Sequence, residues 1–265
     1  MKTIIGVNGA CGRMGQRIVH LASEDKTLAV GAALEAPGHP CLGKDIGEVV
    51  GIGPLGTRVT ESIAPGHKVD ALIDFSTPEG TLAILPLCKD RRIGLLVAAT
   101  GHSPAQRAEI EAAAHHTAVL IAANLSLVVN VLYKLVRQAA EALKDKGFDA
   151  EIIERHHRFK KDSPSGTALQ FARTIQEVWG EDFTIRHGRE GLVGERPSKE
   201  IGMHAVRAGD NVGEHTILFS TLGETMELVH KGHTRDAYAR GALQAAKFLA
   251  TKGPGGYTMS DVLGL

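Results

Sequence analysis

The chain has 265 residues, with 30 Lys or Arg and 30 Asp or Glu, so its net charge is zero. This length supports one or two domains, and the neutral charge argues against a dedicated nucleic-acid-binding protein. The three cysteines, Cys11, Cys41 and Cys88, fit neither a disulfide framework nor a C-x-x-C metal site. No apolar run reaches the ~18 residues of a membrane span, and the strand pattern begins too early for a signal peptide. We therefore expect a cytoplasmic protein without a membrane or nucleic-acid partner.

The N-terminal residues carry the pattern of a dinucleotide-binding site. An apolar run at Thr3–Asn8 predicts a buried strand, the glycines of Gly9–Gly15 follow at once, and helical periodicity begins at Gln16. Glycines allow the backbone to approach a pyrophosphate, which then lies at the helix N-terminus. Any tight turn can require glycine, but the position between a strand and a helix favours a cofactor site.

An acidic residue follows the next predicted strand. The apolar run Leu28–Leu34 ends at Glu35, about 20 residues beyond the glycines. At that spacing a carboxylate binds the adenosine ribose hydroxyls in such folds. A surface glutamate at a strand end is the alternative, and the two matched features together favour the cofactor role.

Strands and helices continue to alternate up to residue 126. Further strands are predicted at Val69–Phe75, Ile93–Ala99 and Ala118–Ala123, and helices begin near Ser76 and Ser103. This alternation predicts an α/β fold whose first domain is a Rossmann-type, doubly wound parallel sheet. Ligands bind at the carboxyl ends of such strands. The polar residues at those ends are Glu35, Ser76, Thr100 and Asn124.

The pattern changes after Ser126. A long amphipathic helix is predicted from Val128 to Lys144, and a second helix from Ser165 to Trp179, followed by a loop. Consecutive strand patterns then predict a second α+β domain with a mixed or antiparallel sheet. These strands lie at His204–Arg207, His215–Ser220 and Met226–His230. The expected division is 1–126 plus 235–265 for the dinucleotide domain and 127–234 for the second domain.

Residues 151–168 combine acid–base groups with a helix start. His156, His157 and Lys160 lead into Ser165-Gly-Thr, which predicts a helix N-terminus with free amide groups. The combination suits a small anion that also needs a proton, although a solvated basic loop or a surface pair of imidazoles is the alternative. No Cys or Glu has the spacing of a zinc site with these histidines. Both histidines can serve one site only if the preceding strand ends near Arg155, because side chains in a strand alternate between faces.

Five strings together resemble the 4-hydroxy-tetrahydrodipicolinate reductase (dihydrodipicolinate reductase) family of lysine and diaminopimelate biosynthesis. They are Gly9-Ala-Cys-Gly-Arg-Met-Gly15, Asp74-Phe-Ser-Thr-Pro-Glu79, Ala122-Ala-Asn-Leu-Ser126, Glu151-Ile-Ile-Glu-Arg-His-His-Arg-Phe-Lys160 and Asp162-Ser-Pro-Ser-Gly-Thr-Ala168. The glycine motif is common to many families, but His-His-x-x-Lys followed by Asp-x-Pro-Ser-Gly-Thr is highly specific. The resemblance covers essentially the whole chain.

The resemblance implies a nicotinamide-dependent reduction of a cyclic, conjugated imine dicarboxylate to tetrahydrodipicolinate. His156 is the implied acid–base residue and Lys160 the proton donor, whereas His157, Gly166 and Thr167 bind the substrate. A homotetramer assembled through the sheet of the second domain is also implied. The implied cofactor-binding residues are Gly9, Ala10, Cys11, Gly12, Arg13, Met14, Glu35, Ala98, Ala99, Thr100, Ala122, Ala123, Asn124 and Leu125.

The chain departs from the family pattern at informative positions. Ala98-Ala99 stand where many members have Gly-Thr, and Leu125 replaces a frequent Phe. Ala36 stands where some members carry an arginine for the 2′-phosphate of NADPH, and Glu35 suits the free 2′-hydroxyl of NADH. We therefore expect NADH and/or NADPH as cofactor, with NADH used at least as well and Arg13 as a partial substitute for that arginine. No metal is expected.

Two other functions are compatible with parts of the pattern. An aspartate or homoserine dehydrogenase has a similar two-domain plan but lacks the His-His-x-x-Lys loop. A nicotinamide sensor that binds DNA through the basic run 155–161 would show salt-dependent binding. Neutral net charge and the lack of a recognisable DNA-binding motif argue against the sensor.

Overall fold

The computed structural model describes residues 2–265, which form two compact units. The first unit comprises the described residues up to Leu127 together with Asp236–Leu265, and the second comprises Val128–Arg235. The first unit is therefore built from two separate stretches of chain. Within residues 2–265, no helix is both long and apolar enough to cross a bilayer.

The first unit contains a seven-stranded sheet among its described residues. Its strands are β1 (Thr3–Asn8), β2 (Leu28–Leu34), β3 (Val59–Thr60), β4 (Ala71–Asp74), β5 (Gly94–Val97), β6 (Ala118–Ile121) and, near the C-terminus, β12 (Gly255–Tyr257). The order across the sheet is β12-β6-β5-β4-β1-β2-β3, and all pairs are parallel. The order reverses beside β1, because β2 lies on one side of it and β4 on the other. A ligand site is expected at the carboxyl ends flanking such a reversal.

Helices connect these strands, and their ends follow from local sequence. They are α1 (Arg13–Glu24), α2 (Ile46–Val49), α3 (Pro78–Arg91), α4 (Pro104–Ala112), α7 (Asp236–Leu249) and α8 (Met259–Leu263). Thr77 caps α3 by accepting the Gly80 amide, and Ser103 forms a capping box with Gln106 at the start of α4. The apolar face of α1 packs against α7, so the C-terminal stretch completes the core of this unit.

The second unit contains a five-stranded mixed sheet and two helices among its described residues. The strands are β7 (Asp149–His156), β8 (Thr184–His187), β9 (Glu200–Arg207), β10 (Gly213–Thr221) and β11 (Glu224–Gly232), in the order β11-β10-β7-β9-β8. The helices α5 (Leu127–Leu143) and α6 (Gly166–Trp179) cover one face and build a core around Phe171, Trp179 and Phe219. The predicted fold class, a doubly wound parallel sheet plus an α+β domain, is confirmed.

Strand β7 ends at His156, one residue beyond Arg155, because His156 still pairs with Arg207 of β9 and its carbonyl accepts the Ala208 amide at 3.0 Å. His157 lies on the turn that follows the strand. One expectation about secondary structure was wrong: the predicted loop after Trp179 contains the edge strand β8, which is short and only partly buried and therefore lacks a strong apolar pattern. The segment after Leu249 adds β12 and α8, which were not predicted.

Candidate active site

The glycine turn of the first unit forms a cradle at the start of α1. Gly9 adopts a φ of +75°, and the amides of Gly9 and Ala10 both donate to the Leu34 carbonyl, at 3.0 and 3.1 Å. Gly12 occupies the N-cap of α1 without a side-chain cap. A Cβ on Gly15 would lie 2.1 Å from the Gly9 carbonyl oxygen, so only glycine lets α1 pack this closely on the turn. The helix N-terminus is thus open to an anion such as a pyrophosphate.

Glu35 lies directly beside this turn. One of its carboxylate oxygens accepts the Cys11 amide at 2.7 Å, which joins the end of β2 to the turn. A carboxylate held at this point fits the predicted contact with ribose hydroxyls. The Gln16 side-chain amide donates to the Cys11 carbonyl at 2.6 Å, which also stabilises the turn.

A buried polar network around Asp74 supports the strand ends next to the turn. Asp74 is fully buried, and its carboxylate accepts from Asn8 at 2.9 Å, from the Ser76 amide and hydroxyl at 3.0 and 2.5 Å, and from the Thr81 hydroxyl. His102 reaches the same hydroxyl at 3.1 Å. Neither Asn8 nor Asp74 was predicted as a site residue, because their partners lie 66 residues apart in sequence. The sequence feature that could have indicated them is a polar residue at the end of an apolar strand.

Backbone contacts place the other predicted cofactor residues at the same edge of the sheet. The amides of Ala98 and Ala99 donate to the Asp74 carbonyl at 2.9 and 3.1 Å, and the Ala122 amide donates to the Val97 carbonyl at 3.0 Å. These contacts are made by backbone atoms, so they do not require glycine at Ala98 or Ala99. Thr100 is exposed, and Ala123 lies beyond the end of β6 at Ile121, although the strand was predicted to reach Ala123. Leu125 is buried against the α7 glycine Gly241, and Asn124 accepts the Ser126 amide at 2.9 Å.

The close packing at Gly15 yields a test of the cofactor cradle. We expect Gly15→Ala to raise the Kd for NADH at least about tenfold, because the added methyl group must displace the glycine turn from α1. Fluorescence titration of NADH measures this. Gly256→Ala is the matched control, since it adds a methyl group to open space in the same unit. Equal NADH affinity in both variants would contradict a cofactor site at the turn.

In the second unit, Glu154 is the centre of a buried hydrogen-bonded cluster. The Glu154 side chain has no exposed surface and lies 2.6 Å from His156 Nδ1. Both guanidinium NH groups of Arg207 donate to the carboxylate at 2.7 Å, and the Ser165 amide donates to it at 2.9 Å. Burial alone would raise the pKa of Glu154, but hydrogen bonds from His156, Arg207 and Ser165 together lower it to about 2. Glu154 is therefore ionised, and His156 Nδ1 is the donor.

Two further histidines lie behind this cluster. His215 Nε2 is 3.1 Å from the Ser165 hydroxyl, and the rings of His215 and His230 are 6.0 Å apart. Burial, reinforced by neighbouring His156 and His230, lowers the pKa of His215 to about 3, and burial likewise lowers that of His230. Both imidazoles are thus neutral, and the Nδ1 atom of each is buried without a partner among the described residues. Neither histidine was predicted as a site residue, because in the sequence each is a single polar position within a predicted strand.

Lys160 and His157 lie on the turn that follows β7. The His157 amide donates to the Asn211 carbonyl at 2.7 Å, and the Lys160 amide donates to the His157 carbonyl at 3.1 Å. Lys160 Nζ lies 2.9 Å from Asp162, and its hydrogen bond lowers the pKa of that carboxyl. The Lys160 side chain is 21% exposed, whereas the adjacent Lys161 is exposed. His157 Nδ1 is buried and has no hydrogen-bond partner among residues 2–265.

Gly166 and Thr167 form the first turn of α6. Ser165 caps this helix by accepting the Ala168 amide at 3.2 Å, and Gly166 is exposed with open space around its Cα. The Ser165 amide bonds to Glu154, so the helix start and His156 are joined through one carboxylate. The structure thus brings His156, Gly166 and Thr167 to one end of the second unit, next to the turn that carries His157 and Lys160.

Comparisons with known proteins identify the family of this chain. Two family models match the chain: the dihydrodipicolinate reductase N-terminus over residues 3–125 and the dihydrodipicolinate reductase C-terminus over residues 128–263. The 4-hydroxy-tetrahydrodipicolinate reductase of Dechloromonas aromatica (strain RCB) is 44% identical over 266 residues, covering 99% of this chain and 98% of the relative. That of Geotalea uraniireducens (strain Rf4) is 43% identical over 264 residues, covering 98% of each chain.

A solved structure shares the fold. The dipicolinate-bound dihydrodipicolinate reductase from Paenisporosarcina sp. TG-14 superposes with a TM-score of 0.77 at 23% identity, covering 97% of this chain and 98% of that one. At this identity the likeness concerns the fold.

A parallel sheet with an open glycine turn and a second unit with buried acid–base groups define an NAD(P)H-dependent oxidoreductase of two-domain plan. The chain belongs to the dihydrodipicolinate reductase family. The predicted function, NAD(P)H-dependent reduction of 4-hydroxy-tetrahydrodipicolinate in lysine and diaminopimelate biosynthesis, is that of this family, and the prediction is confirmed. The alternatives of an aspartate or homoserine dehydrogenase and of a DNA-binding sensor are not supported.

Proposed function

We propose that the second unit binds 4-hydroxy-tetrahydrodipicolinate and that His156 and Lys160 manage the proton that accompanies its reduction. The observation that carries this proposal is the buried Glu154 carboxylate, which holds both His156 Nδ1 and the Ser165 amide at the start of α6. One carboxylate thereby fixes an acid–base imidazole and an anion-binding helix end in a single arrangement. A cytoplasmic location belongs to the proposal, because the cysteines are free thiols.

Binding is assigned to groups that suit a dicarboxylate. The first turn of α6 offers Gly166 and Thr167 to one carboxylate through the amide groups and dipole of the helix. His157 contributes its buried, unpartnered Nδ1, and Lys160 contributes a cation that offsets carboxylate charge. Gly166 has open space around it, so the N-terminus of α6 is accessible to the ligand.

Proton transfer is assigned to His156 and Lys160. Loss of water from the 4-hydroxy substrate gives a conjugated cyclic imine. The cofactor, when bound, would supply the hydride that a ring carbon of this imine receives, and a proton must then be added to complete the reduction. Glu154 holds His156 Nδ1 as a donor, which leaves Nε2 as the nitrogen that can exchange a proton. Gly213 makes room for that nitrogen, since a Cβ there would lie 2.9 Å from it. Lys160, paired with Asp162 in the free enzyme, is the proton donor to the substrate.

The residues of the first unit fit a dinucleotide, and the proposal assigns its parts to them. The open N-terminus of α1 with Gly9, Ala10, Gly12, Arg13 and Met14 would hold the pyrophosphate. Glu35 and Cys11 would lie at the adenosine ribose. The loops after β5 and β6 would lie along the nicotinamide half, with contacts from Ala98, Ala99, Thr100, Ala122, Ala123, Asn124 and Leu125.

We expect kcat/KM with NADH to equal or exceed that with NADPH. Glu35 suits a free 2′-hydroxyl and repels a 2′-phosphate, and the exposed Ala36 beside it provides no cation. Steady-state oxidation of each cofactor with freshly generated 4-hydroxy-tetrahydrodipicolinate measures this and tests the proposed reaction at the same time. The variant Ala36→Arg should improve NADPH use, whereas Ala105→Arg, at an exposed position of α4, tests whether any added arginine does so. A kcat/KM for NADPH well above that for NADH contradicts the preference, and no activity with either cofactor contradicts the function.

We also propose a homotetramer assembled through the sheet of the second unit. The face of this sheet opposite α5 and α6 carries Ile153, Val206, Leu218 and Val229, of which Val206 is 42% and Val229 45% exposed. These apolar side chains lie among charged ones such as Arg155 and Glu214, which form an ion pair on the same face. A sheet face with exposed apolar residues and polar neighbours suits contact with further copies of the chain.

Charge on this sheet face tests the assembly. We expect the double variant Val206→Asp, Val229→Asp to elute as a smaller species than the wild type in size-exclusion chromatography with light scattering. Both introduced aspartates would be buried without partners in the proposed interface between copies. Leu265→Asp places a charge on an exposed apolar side chain of the first unit and serves as the control. A monomeric wild type, or a tetramer unchanged by the double variant, would overturn the proposal.

A further inference from the structure

Three side chains with metal-binding atoms meet beside the glycine turn of the first unit. The sulfurs of Cys11 and Cys41 and one ring nitrogen of His39 all lie within 4.8 Å of one another, and all three residues are half-buried. Cys11 belongs to the turn itself, whereas His39 and Cys41 lie on the segment that follows Glu35. Spacing in the sequence did not reveal this group, because its members come from two loops.

The backbone holds these three residues in place. The Cys11 amide donates to the Glu35 carboxylate at 2.7 Å, and the Cys41 amide donates to His39 Nδ1 at 3.2 Å. Successive turn hydrogen bonds fix the second loop: the His39 amide donates to the Ala36 carbonyl at 3.1 Å, and the Leu42 amide donates to the His39 carbonyl at 3.0 Å. The ligand atoms are therefore presented together before any ion binds.

We propose that Cys11, His39 and Cys41 form a binding site for a thiophilic divalent cation of the Zn²⁺ class, and that the bound cation opposes dinucleotide binding at the glycine turn. Two thiolates and an imidazole are a preferred ligand set of Zn²⁺, and a water molecule can complete the tetrahedron. A tetrahedral site with Zn–S bonds of about 2.3 Å needs sulfurs roughly 3.8 Å apart, so the group must contract by about 1 Å at most. Two thiolate charges neutralise the dication.

The effect on the cofactor follows from the position of Cys11, and it rests on the proposed function of the glycine turn. A bound cation would move the Cys11 sulfur toward Cys41. This movement would shift Cys11, whose amide donates to the Glu35 carboxylate. The cation and the adenosine half of the dinucleotide then compete for the same residues. Cys88 is buried elsewhere in this unit and takes no part.

A cobalt titration tests the cation site directly. Co²⁺ added to the reduced wild-type protein, in a phosphine reductant, should bind one equivalent and give a thiolate-to-cobalt charge-transfer band in the near ultraviolet, which Zn²⁺ removes. Cys41→Ser and His39→Ala should each weaken Co²⁺ binding at least about tenfold, whereas Cys88→Ala should not change it. Circular dichroism confirms that the variants are folded. No band in the wild type, or the same band and affinity in Cys41→Ser, would overturn the site.

Competition is measured separately. One equivalent of Zn²⁺ should raise the Kd for NADH at least about tenfold in the wild type and leave it unchanged in Cys41→Ser. If Zn²⁺ binds and the Kd for NADH does not change, the competition is wrong. If NADH fails to bind without Zn²⁺, the proposed cofactor site is wrong, and the cobalt band still decides whether the cation site exists.

Discussion

Replacing Lys160 with alanine is expected to lower kcat by about 10²–10⁴-fold, the usual loss when a general acid is removed. Lys160 is mostly buried and its Nζ lies 2.9 Å from Asp162, so the free enzyme holds the side chain in place. The substrate ring needs a proton after it receives hydride, and alanine cannot supply one. The Kd for NADH should stay near the wild-type value, because Lys160 belongs to the second unit and the glycine turn to the first.

Lys161→Ala is the matched control for this prediction. Lys161 is the adjacent residue, carries the same charge and is exposed. Its removal should leave kcat within about twofold, because a solvated charge contributes little. Similar kcat losses in both variants would mean that the basic run acts through its overall charge and that Lys160 has no specific role.

His156→Gln tests the other half of the proton pathway. Glutamine can keep one hydrogen bond to Glu154 but cannot exchange a proton, so kcat should fall by about 10²–10⁴-fold while the protein remains folded. Substrate KM should change less than kcat. A large rise in the Kd for NADH with kcat preserved would place His156 at the cofactor and contradict its role.

Local patterns were sufficient to predict most of the architecture. The strand, glycine turn and helix of residues 3–24 follow from apolar runs and from the space that Gly15 provides, which are properties of neighbouring residues. The same holds for the start of α6, where Ser165 caps the helix as its residue type suggests. These features depend on interactions within one or two turns of chain.

Features that depend on distant partners were not predictable. Glu154 is followed by Arg155 and His156, a polar stretch that suggests an exposed position, and its partner Arg207 lies 53 residues away. The extension of β7 through His156 depends on pairing with β9, which no local signal of residues 151–157 reveals. The neutral pair His215 and His230, and the group of Cys11, His39 and Cys41, likewise exist only once separate segments are brought together.

The second large effect is expected at Glu154, where alanine should lower the free energy of unfolding of the second unit by about 3–5 kcal/mol. The substitution leaves the Arg207 guanidinium, the His156 imidazole and the Ser165 amide without their shared acceptor in a buried place. Urea unfolding followed by Trp179 fluorescence measures this, because Trp179 is the single tryptophan and lies in the core of this unit. Glu177→Ala removes an exposed carboxylate paired with Arg137 in the same unit and should cost no more than about 1 kcal/mol.

The pH dependence of the Glu154 effect has a definite sign. In the folded protein, hydrogen bonds from His156, Arg207 and Ser165 outweigh burial and hold the pKa of Glu154 at about 2, below its ordinary value of 4.5. The unfolded chain therefore takes up the proton first as pH falls, so the stabilisation is complete above about pH 4.5 and is lost progressively toward pH 2. The difference in unfolding free energy between the wild type and Glu154→Ala should be largest near neutral pH and shrink below pH 4.5. A difference that is constant with pH, or equal to that of Glu177→Ala, would mean that the carboxylate charge does not hold the cluster together.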